Sequence, residues 1–409
     1  MALIFFEGFN SPSGADPAYW SFENGVLGFT PVQVESYQSA LYKADPRTYT
    51  GGYQPGMNTP TAAATLTLPT AHSGNKTVYI GCGLRANALV NSAYYGIGVL
   101  ANNQASLFTI KNSAGTHVID IAFALRPDWS YAAPSINLGV VLKITQTVNT
   151  VVTTVNFRVP ASAMQLSAWS DSIVIQGSQR ADNCHYFEFK LDFQNNQFAA
   201  RYNDQLLGLH SDTNVKYTTL AATSMQKLVL HVASSLVFSS YPQCTPSFQD
   251  LYIADDTGEG VVSWLGADTH VVQPLQAAPV SIGWSTYGTS TGGAVVNSAD
   301  GDATFVYTKT TGVNQTYTQE AHTLWPTVIT NIAAVKVSSV ARGGVSASAI
   351  KHVYGDSNSA ITELSATLSL TDTYAVQSTQ RETNPSTIVA WTKADIETGA
   401  FGVQSTAAS

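Results

Sequence analysis

Charge is what this sequence has least of. Only 11% of its 409 residues are Asp, Glu, Lys or Arg, against roughly 25% in an ordinary globular protein. The net charge is −8, and Lys and Arg are nowhere clustered. Phosphate neutralisation needs grouped basic residues, so the composition argues against nucleic acid as a partner. Cysteine is scarce as well. Cys82, Cys184 and Cys244 are far apart, and an odd count without short spacings argues against both a disulfide framework and a zinc site. Cys82 lies within VYIGCGLRA, an apolar strand pattern that reads as a buried thiol. No stretch approaches about eighteen uninterrupted apolar residues, so no segment is expected to span a membrane. The opening MALIFFEGFN has no basic lead, and its apolar run is too short for a signal sequence. The expectation is a protein made in a cytoplasm and used without Sec export.

Apolar residues, at 44%, are present in ordinary amount. Ser, Thr, Asn, Gln and Gly take the place of the missing charge. A polar, weakly charged surface repels its neighbours little, which suits a protein packed against copies of itself or other chains. The length allows two to three domains, and one β-sandwich can use roughly 200–250 residues.

Period-two patterns dominate the chain. Thr77-Val78-Tyr79-Ile80 and residues 117–123 alternate in this way, and residues 140–159, VVLKITQTVNTVVTTVNFRV, read as two strands with a turn near Val148-Asn149. DSIVIQGS, HYFEFKLDF, QFAARY, KLVLHVASS and FQDLYIA follow. β-Branched and aromatic residues bounded by Asn, Gly, Pro and Ser are the signature of strands in an all-β sandwich. Helical patterns are short: around Ala161–Leu166, Leu220–Met225 and Thr392–Thr398.

The stretch HYFEFKLDFQNNQFAARYNDQLL defines a meander. Phe187, Phe189, Leu191 and Phe193 make one apolar face, and Tyr186, Glu188, Lys190 and Asp192 make the other. Gln194-Asn195-Asn196 turns the chain, and Asn203-Asp204, which tolerates positive φ, turns it again. Ala2 to Phe6 is expected as an edge strand beside Gln249–Ile253. Turn-formers at 256–260, then Pro274 and Pro279, place a domain boundary near 262–275. The domains are taken as 1–262 and 263–409. The second again reads as strands: ATFVYT, VITNIAAVKVSSVA, ASAIKHVYG, ELSATLSL and TYAVQST, with Asp300-Gly301 as a hairpin-type turn.

Several motifs carry a resemblance. They are the opening IFFEGFN with Trp20 downstream, the YFEFK…ARYND meander, FQDLYIADDTG followed by LGADTHVVQPL, then Trp284, SADGDATFV and the closing AWTKADIETGAFGV. In this order and spacing the chain resembles a family of tailed-bacteriophage virion proteins. In that family an N-terminal concanavalin A-like (laminin-G-like) jelly roll precedes a β-rich C-terminal domain. The chain departs from it in SWLGADTHV, where the family more often shows an Asn/Asp-rich lead and a charged LGDxRV core. Here Asp268 and His270 occupy that stretch, which bears on any family-type salt bridge there. The resemblance implies virion assembly, without saying where on the particle.

Chemistry is thinly represented. Retaining glucanases on a jelly roll need carboxylates about 5 Å apart, and their signature Glu-x-Asp-x-x-Glu places the first two acids on the same side of a strand. The nearest strand is Glu188-x-Lys190-x-Asp192, whose central position is basic. It reads better as a solvated face with cross-strand ion pairs, each contributing under about 1 kcal/mol. The Asp255-Asp256-x-Gly-Glu259 loop lacks the EF-hand spacing. It reads as a turn closing the last strand, with a Ca2+ site of another kind at Asp255, Asp256 and Glu259 as the alternative. No cofactor is otherwise expected. The histidines lie outside Gly-x-Ser-x-Gly and His-Glu-x-x-His settings, and GTSTGG at 288–293 has no following Lys. Cys184 and His185 are adjacent in a strand and point to opposite faces. The loop Arg126-Pro127-Asp128-Trp129-Ser130-Tyr131 offers Trp129 and Tyr131 for stacking on a sugar or a receptor; packing beneath the loop or into a subunit contact is the plainer reading.

The sequence therefore predicts an all-β chain, a concanavalin A-like jelly roll followed by a smaller β-sandwich-like domain. It predicts a non-enzymatic virion component whose partners are copies of itself, other virion proteins and, in one role, a host-surface glycan or receptor. A tail-associated place, as appendage, fibre or sheath, is preferred to capsid decoration. A glycan depolymerase or a stand-alone lectin is the alternative of another class.

Overall fold

Alternation of the kind seen in HYFEFKLD can bury one face only if several strands align their apolar positions, and the chain does this on a large scale. The computed structural model describes residues 2–7, 20–23, 30–31, 44–45, 63–72, 77–87, 104–112, 118–125, 140–148, 151–158, 165–166, 173–174, 185–192, 195, 197–211, 225–231, 237–238, 241–242, 245–256, 264–266, 269, 271, 276–288, 293–297, 303–319, 329, 331–344, 348–356 and 360–407. They form two compact units, the first within Met1–Asn10 and Tyr19–Val271, the second within Val272–Ser409. No described helix is long and apolar enough to cross a membrane.

The first unit is a jelly-roll sandwich of two antiparallel sheets. One runs Gln205–Ser211, Gln197–Tyr202, His185–Asp192, Thr77–Asn87, Thr245–Asp255, and then the short Ala44–Asp45 and Thr30–Pro31. Ala2–Glu7 pairs with the far half of Thr245–Asp255, Phe5 opposite Ile253, as an edge strand. The other sheet runs Val151–Arg158, Val140–Val148, Val118–Leu125, Gln104–Asn112, Met225–His231, Ala63–His72 and Trp20–Glu23. First and last strands lie side by side, as a jelly roll requires.

Register decides the core. Phe187, Phe189 and Leu191 sit opposite Cys82, Ile80 and Val78 on one side and Tyr202, Ala200 and Phe198 on the other. All are buried, as are Leu66, Ile110 and Leu228 of the second sheet. Each buried Phe or Leu contributes about 1.5–3 kcal/mol. Cys82 is the buried thiol expected. Its neighbours Gly81 and Gly83 fall on the other face of the sheet, opposite Tyr252 and Tyr186.

The second unit is built on a six-stranded sheet. Its order is Gln276–Ile282, Asn314–Gln319, Ala400–Ala407, Ser348–Gly355 and Ile361–Glu363, with Leu368–Leu370 also on Ser348–Gly355. A separate ribbon, Val335–Ala341 with Ala375–Arg381, packs over it. There His352, fully buried on the large sheet, reaches Ser339 Oγ at 2.9 Å and Thr379 Oγ1 at 2.7 Å on the two ribbon strands. Beside it Tyr354, Leu364, Trp391, Ile396 and Phe401 make an aromatic-rich core.

One of the three predicted helices is present. Lys393–Thr398 is a helix capped by Thr392, whose hydroxyl accepts the Asp395 N–H while Asp395 bonds back to the Thr392 N–H. That reciprocal pair is a capping box. Of the stretch around Ala161–Leu166 only Gln165 and Leu166 are described, and there the helical expectation is corrected. Gln165 and Leu166 pair with Val174 and Ile173 as strands, because a partner strand outweighs a weak local preference. Met225 opens a strand rather than closing a helix, and the remainder of that stretch lies outside the described residues.

Candidate functional site

The outer face of the first sheet holds a largely buried polar cluster. It begins with a bulge. Strand Thr245–Asp255 pairs Gln249 with Gly83 and Tyr252 with Gly81, so Asp250 and Leu251 together oppose one residue. Asp250 takes φ 50 to make this fit. The bulge aims Tyr252 across the neighbouring strand. A Cβ at Gly81 would lie 2.0 Å from the Tyr252 ring, so only glycine lets the ring pass. Beyond Gly81 lies Glu188, and the Tyr252 hydroxyl donates to its Oε1 at 2.6 Å.

The second oxygen of Glu188 is also taken. Arg201, directly opposite on the next strand, approaches Oε2 at 3.3 Å through Nη1. Its remaining donors go to the Asp204 carbonyl, at 3.3 and 2.9 Å, and to Asp204 Oδ1 at 3.2 Å. The turn supplying them takes positive φ at Asn203 and Asp204, as the sequence predicts.

Trp264 to Gly266, with Val271, close over this face. The Gly266 N–H donates to Glu188 Oε1 at 2.9 Å. Gly266 has φ +96, a conformation that favours glycine. Trp264 meets Tyr79 edge-on at 5.4 Å and lies under the Arg201 guanidinium, also 5.4 Å from the ring centre. The Val271 N–H donates to Asp250 Oδ1 at 2.8 Å, while the Asp250 carbonyl accepts from the Tyr186 hydroxyl at 3.1 Å. Tyr79, Tyr186, Tyr252 and Ala254 form a small second core that Leu3, Phe6, Trp264 and Leu265 flank. The first unit thus reaches Val271, and Trp264 to Gly266 and Val271, placed in the second domain by the 262/263 division, pack with the first.

Burial pushes the Glu188 carboxyl up, and the bonds from Tyr252, Gly266 and Arg201 pull it partly back. Burial pushes the Tyr252 phenol well above its ordinary value, and the neighbouring carboxylate pushes the same way. A carboxyl and a phenol in contact resemble an acid–base pair. Glu188 is only 1% exposed, however, and the Tyr252 proton points at it. The arrangement clasps a chain segment and presents no open oxygen to a substrate.

This corrects the sequence reading of Glu188, Lys190 and Asp192 as a solvated face. The cross-strand ion pair exists, but Glu188 and Asp192 are buried. Trp264 to Gly266 cover the first. Asp192 accepts from the Asn195 N–H and Nδ2 at 2.9 and 3.0 Å, with Lys190 at 3.7 Å. Asp255 is the last residue of its strand and buried. Asp256 bends the chain and accepts the Thr77 N–H at 3.1 Å. Among the described residues no group of three or more His, Cys, Asp or Glu is placed to hold a metal. Glu259, Asp268, His270, Trp129 and Tyr131 lie outside the described residues. Sequence reasoning missed Tyr252, Arg201, Trp264 and Gly266 as one unit. The available signal was Gly81 and Gly83 inside an apolar strand, the mark of a close approach from above.

No protein-family model and no curated protein sequence matches this chain. Solved structures with a similar course include the CBM40 of the Ruminococcus gnavus IT-sialidase bound to alpha2,6 sialyllactose, at 11% identity and TM-score 0.25, covering 44% of this chain and 77% of that one. The carbohydrate-binding module CBM66 from Bacillus subtilis matches at 8% identity and TM-score 0.24, covering 47% and 81%. Alginate lyase A1-II' matches at 11% identity and TM-score 0.34, covering 58% and 95%. Likeness of this degree assigns no chemistry to the site.

Proposed function

We propose that this protein is a non-enzymatic structural component of a tailed-phage virion, associated with the tail. One observation carries the reading. Three of the motifs behind the resemblance, YFEFK…ARYND, FQDLYIADDTG and the start of LGADTHVVQPL, contribute to a single clasp in which Glu188 bonds Tyr252, Arg201 and Gly266. Residues that resemble the family's are thus spent on fastening the chain to itself, and the Glu188 carboxylate at the centre of the clasp is not left open for turnover. The low charge agrees with a surface that lives against neighbours. Any contact with a host-surface glycan or receptor falls, on this reading, to the loop carrying Trp129 and Tyr131. The test is antibody labelling of intact particles, read by electron microscopy. Label confined to tails is the expected result; purified particles without label would remove the proposal, and label on heads would move it to capsid decoration.

A further inference from the structure

Among the described residues, every exposed large apolar side chain except Leu206 belongs to the second unit. Val340 is one, 67% exposed in strand Val335–Ala341. That strand has a single paired neighbour, Ala375–Arg381, and the two run in register from Val335↔Arg381 to Ala341↔Ala375 without a bulge. A two-stranded sheet is marginal on its own. This one is held from beneath by His352 through Ser339 and Thr379, and by Val335 and Val337 on the aromatic core. No described strand pairs with its far edges.

Natural sheets blunt an open edge with bulges, proline, charged side chains or very short strands. The second unit does so elsewhere. Edge strand Gln276–Ile282 carries Pro279 between two register shifts, and the opposite edge consists of the short Ile361–Glu363 and Leu368–Leu370. Val335–Ala341 spans seven residues with no bulge and no proline, and carries a single charged side chain, Lys336. The ribbon's two strands also differ in exposure. Residues 375–380 are all half-buried, whereas Ser338 and Val340 stand open.

We propose that the Val335–Ala341 edge pairs antiparallel with the same strand of a second copy, about a two-fold axis at Ser338, joining two ribbons into one four-stranded sheet. The backbone groups of a strand edge are matched in shape and spacing by another strand, and this strand is its own complement. Centring on Ser338 sets Val337 opposite Ser339 of the second copy and Lys336 opposite its Val340. The strand's one cation therefore never faces its own copy. Opposed residues point to the same side, so an axis perpendicular to the sheet leaves both inner faces on their own cores. The pairing deepens the assembly reading and fails separately from it: a chain that labels particles yet never self-associates keeps the virion role and loses this interface.

The experiment is sedimentation velocity on the full chain over a wide concentration range. Wild type is expected to dimerise reversibly. Val340→Lys sets Lys against Lys336 twice across the axis and should raise the dimer Kd about tenfold. Val340→Glu sets an opposite charge there and should leave the Kd unchanged or tighter. Position 340 is exposed, so both variants should keep the wild-type near-UV spectrum. A monomer at every concentration overturns the proposal, as does an equal effect of the two substitutions.

Discussion

The Tyr252 hydroxyl meets the Glu188 carboxylate at 2.6 Å over the bare backbone of Gly81. Three adjacent strands each supply one part: the reach, the gap and the acceptor. The carboxylate also holds Gly266 at the end of the first unit. Stability of the sandwich and anchoring of the outgoing chain therefore depend on the same atoms.

Tyr252→Phe removes one donor and leaves a buried carboxylate short of a bond. The expected loss is about 1–3 kcal/mol. Glu188→Ala strands Arg201 and Gly266 together and should cost about 3–5 kcal/mol. Urea unfolding of both variants checks the order; equal losses would mean the ion pair adds nothing beyond the phenol's bond.

Gly81→Ala drives a methyl group into the Tyr252 ring. It should destabilise the chain by about 1–3 kcal/mol through overpacking. Combined with Tyr252→Leu, which takes away the obstructing ring, most of the Gly81→Ala effect should disappear. A double-mutant cycle measures this coupling, and simple additivity would show that the ring does not lie over the glycine.

Trp264→Ala removes the ring between Tyr79 and Arg201 while leaving the jelly-roll core alone. The expected result is faster proteolytic cleavage between the two units, with the protease-resistant core of the first unit retained. Unchanged cleavage would indicate that the Gly266 and Val271 bonds suffice.

His352 makes the second unit sensitive to acid. Burial holds its pKa down to about 4, from an ordinary 6.5, so the unfolded chain binds the proton first. Its neutral form therefore contributes in full above the unfolded value. That contribution is lost as pH falls from 6.5 toward 4, by about 3 kcal/mol in all. Glu188 acts in the opposite sense, since a carboxyl raised by burial favours the folded state as it becomes protonated. Comparing wild type with His352→Gln isolates the histidine. The variant should show a flatter pH dependence of unfolding between 6.5 and 4, and parallel curves would rule His352 out as the cause.

Much of the fold is legible in local pattern. The meander at 185–211, the edge strand at 2–7 beside 245–255 and the capped helix at 393–398 all stand where alternation, turn residues and the capping box put them. The closing Ser/Thr/Ala-rich stretch carries no such pattern. It nevertheless forms Ala400–Ala407, a central strand between Asn314–Gln319 and Ser348–Gly355, because a neighbour on each side supplies the hydrogen bonds that propensity does not.

Alternation along the chain determined that Glu188 and Arg201 would share a face and that Phe187 and Phe189 would turn away from it, since side chains in a strand change sides at every residue. Tertiary structure alone decided that Glu188 on that face would be dry. Solvation depends on what covers a surface, and the cover here, Trp264 to Gly266, lies 76 or more residues further on than Glu188. No periodicity within a strand records so distant a neighbour. Only the bulge at Asp250 and the gap at Gly81 bring the two together.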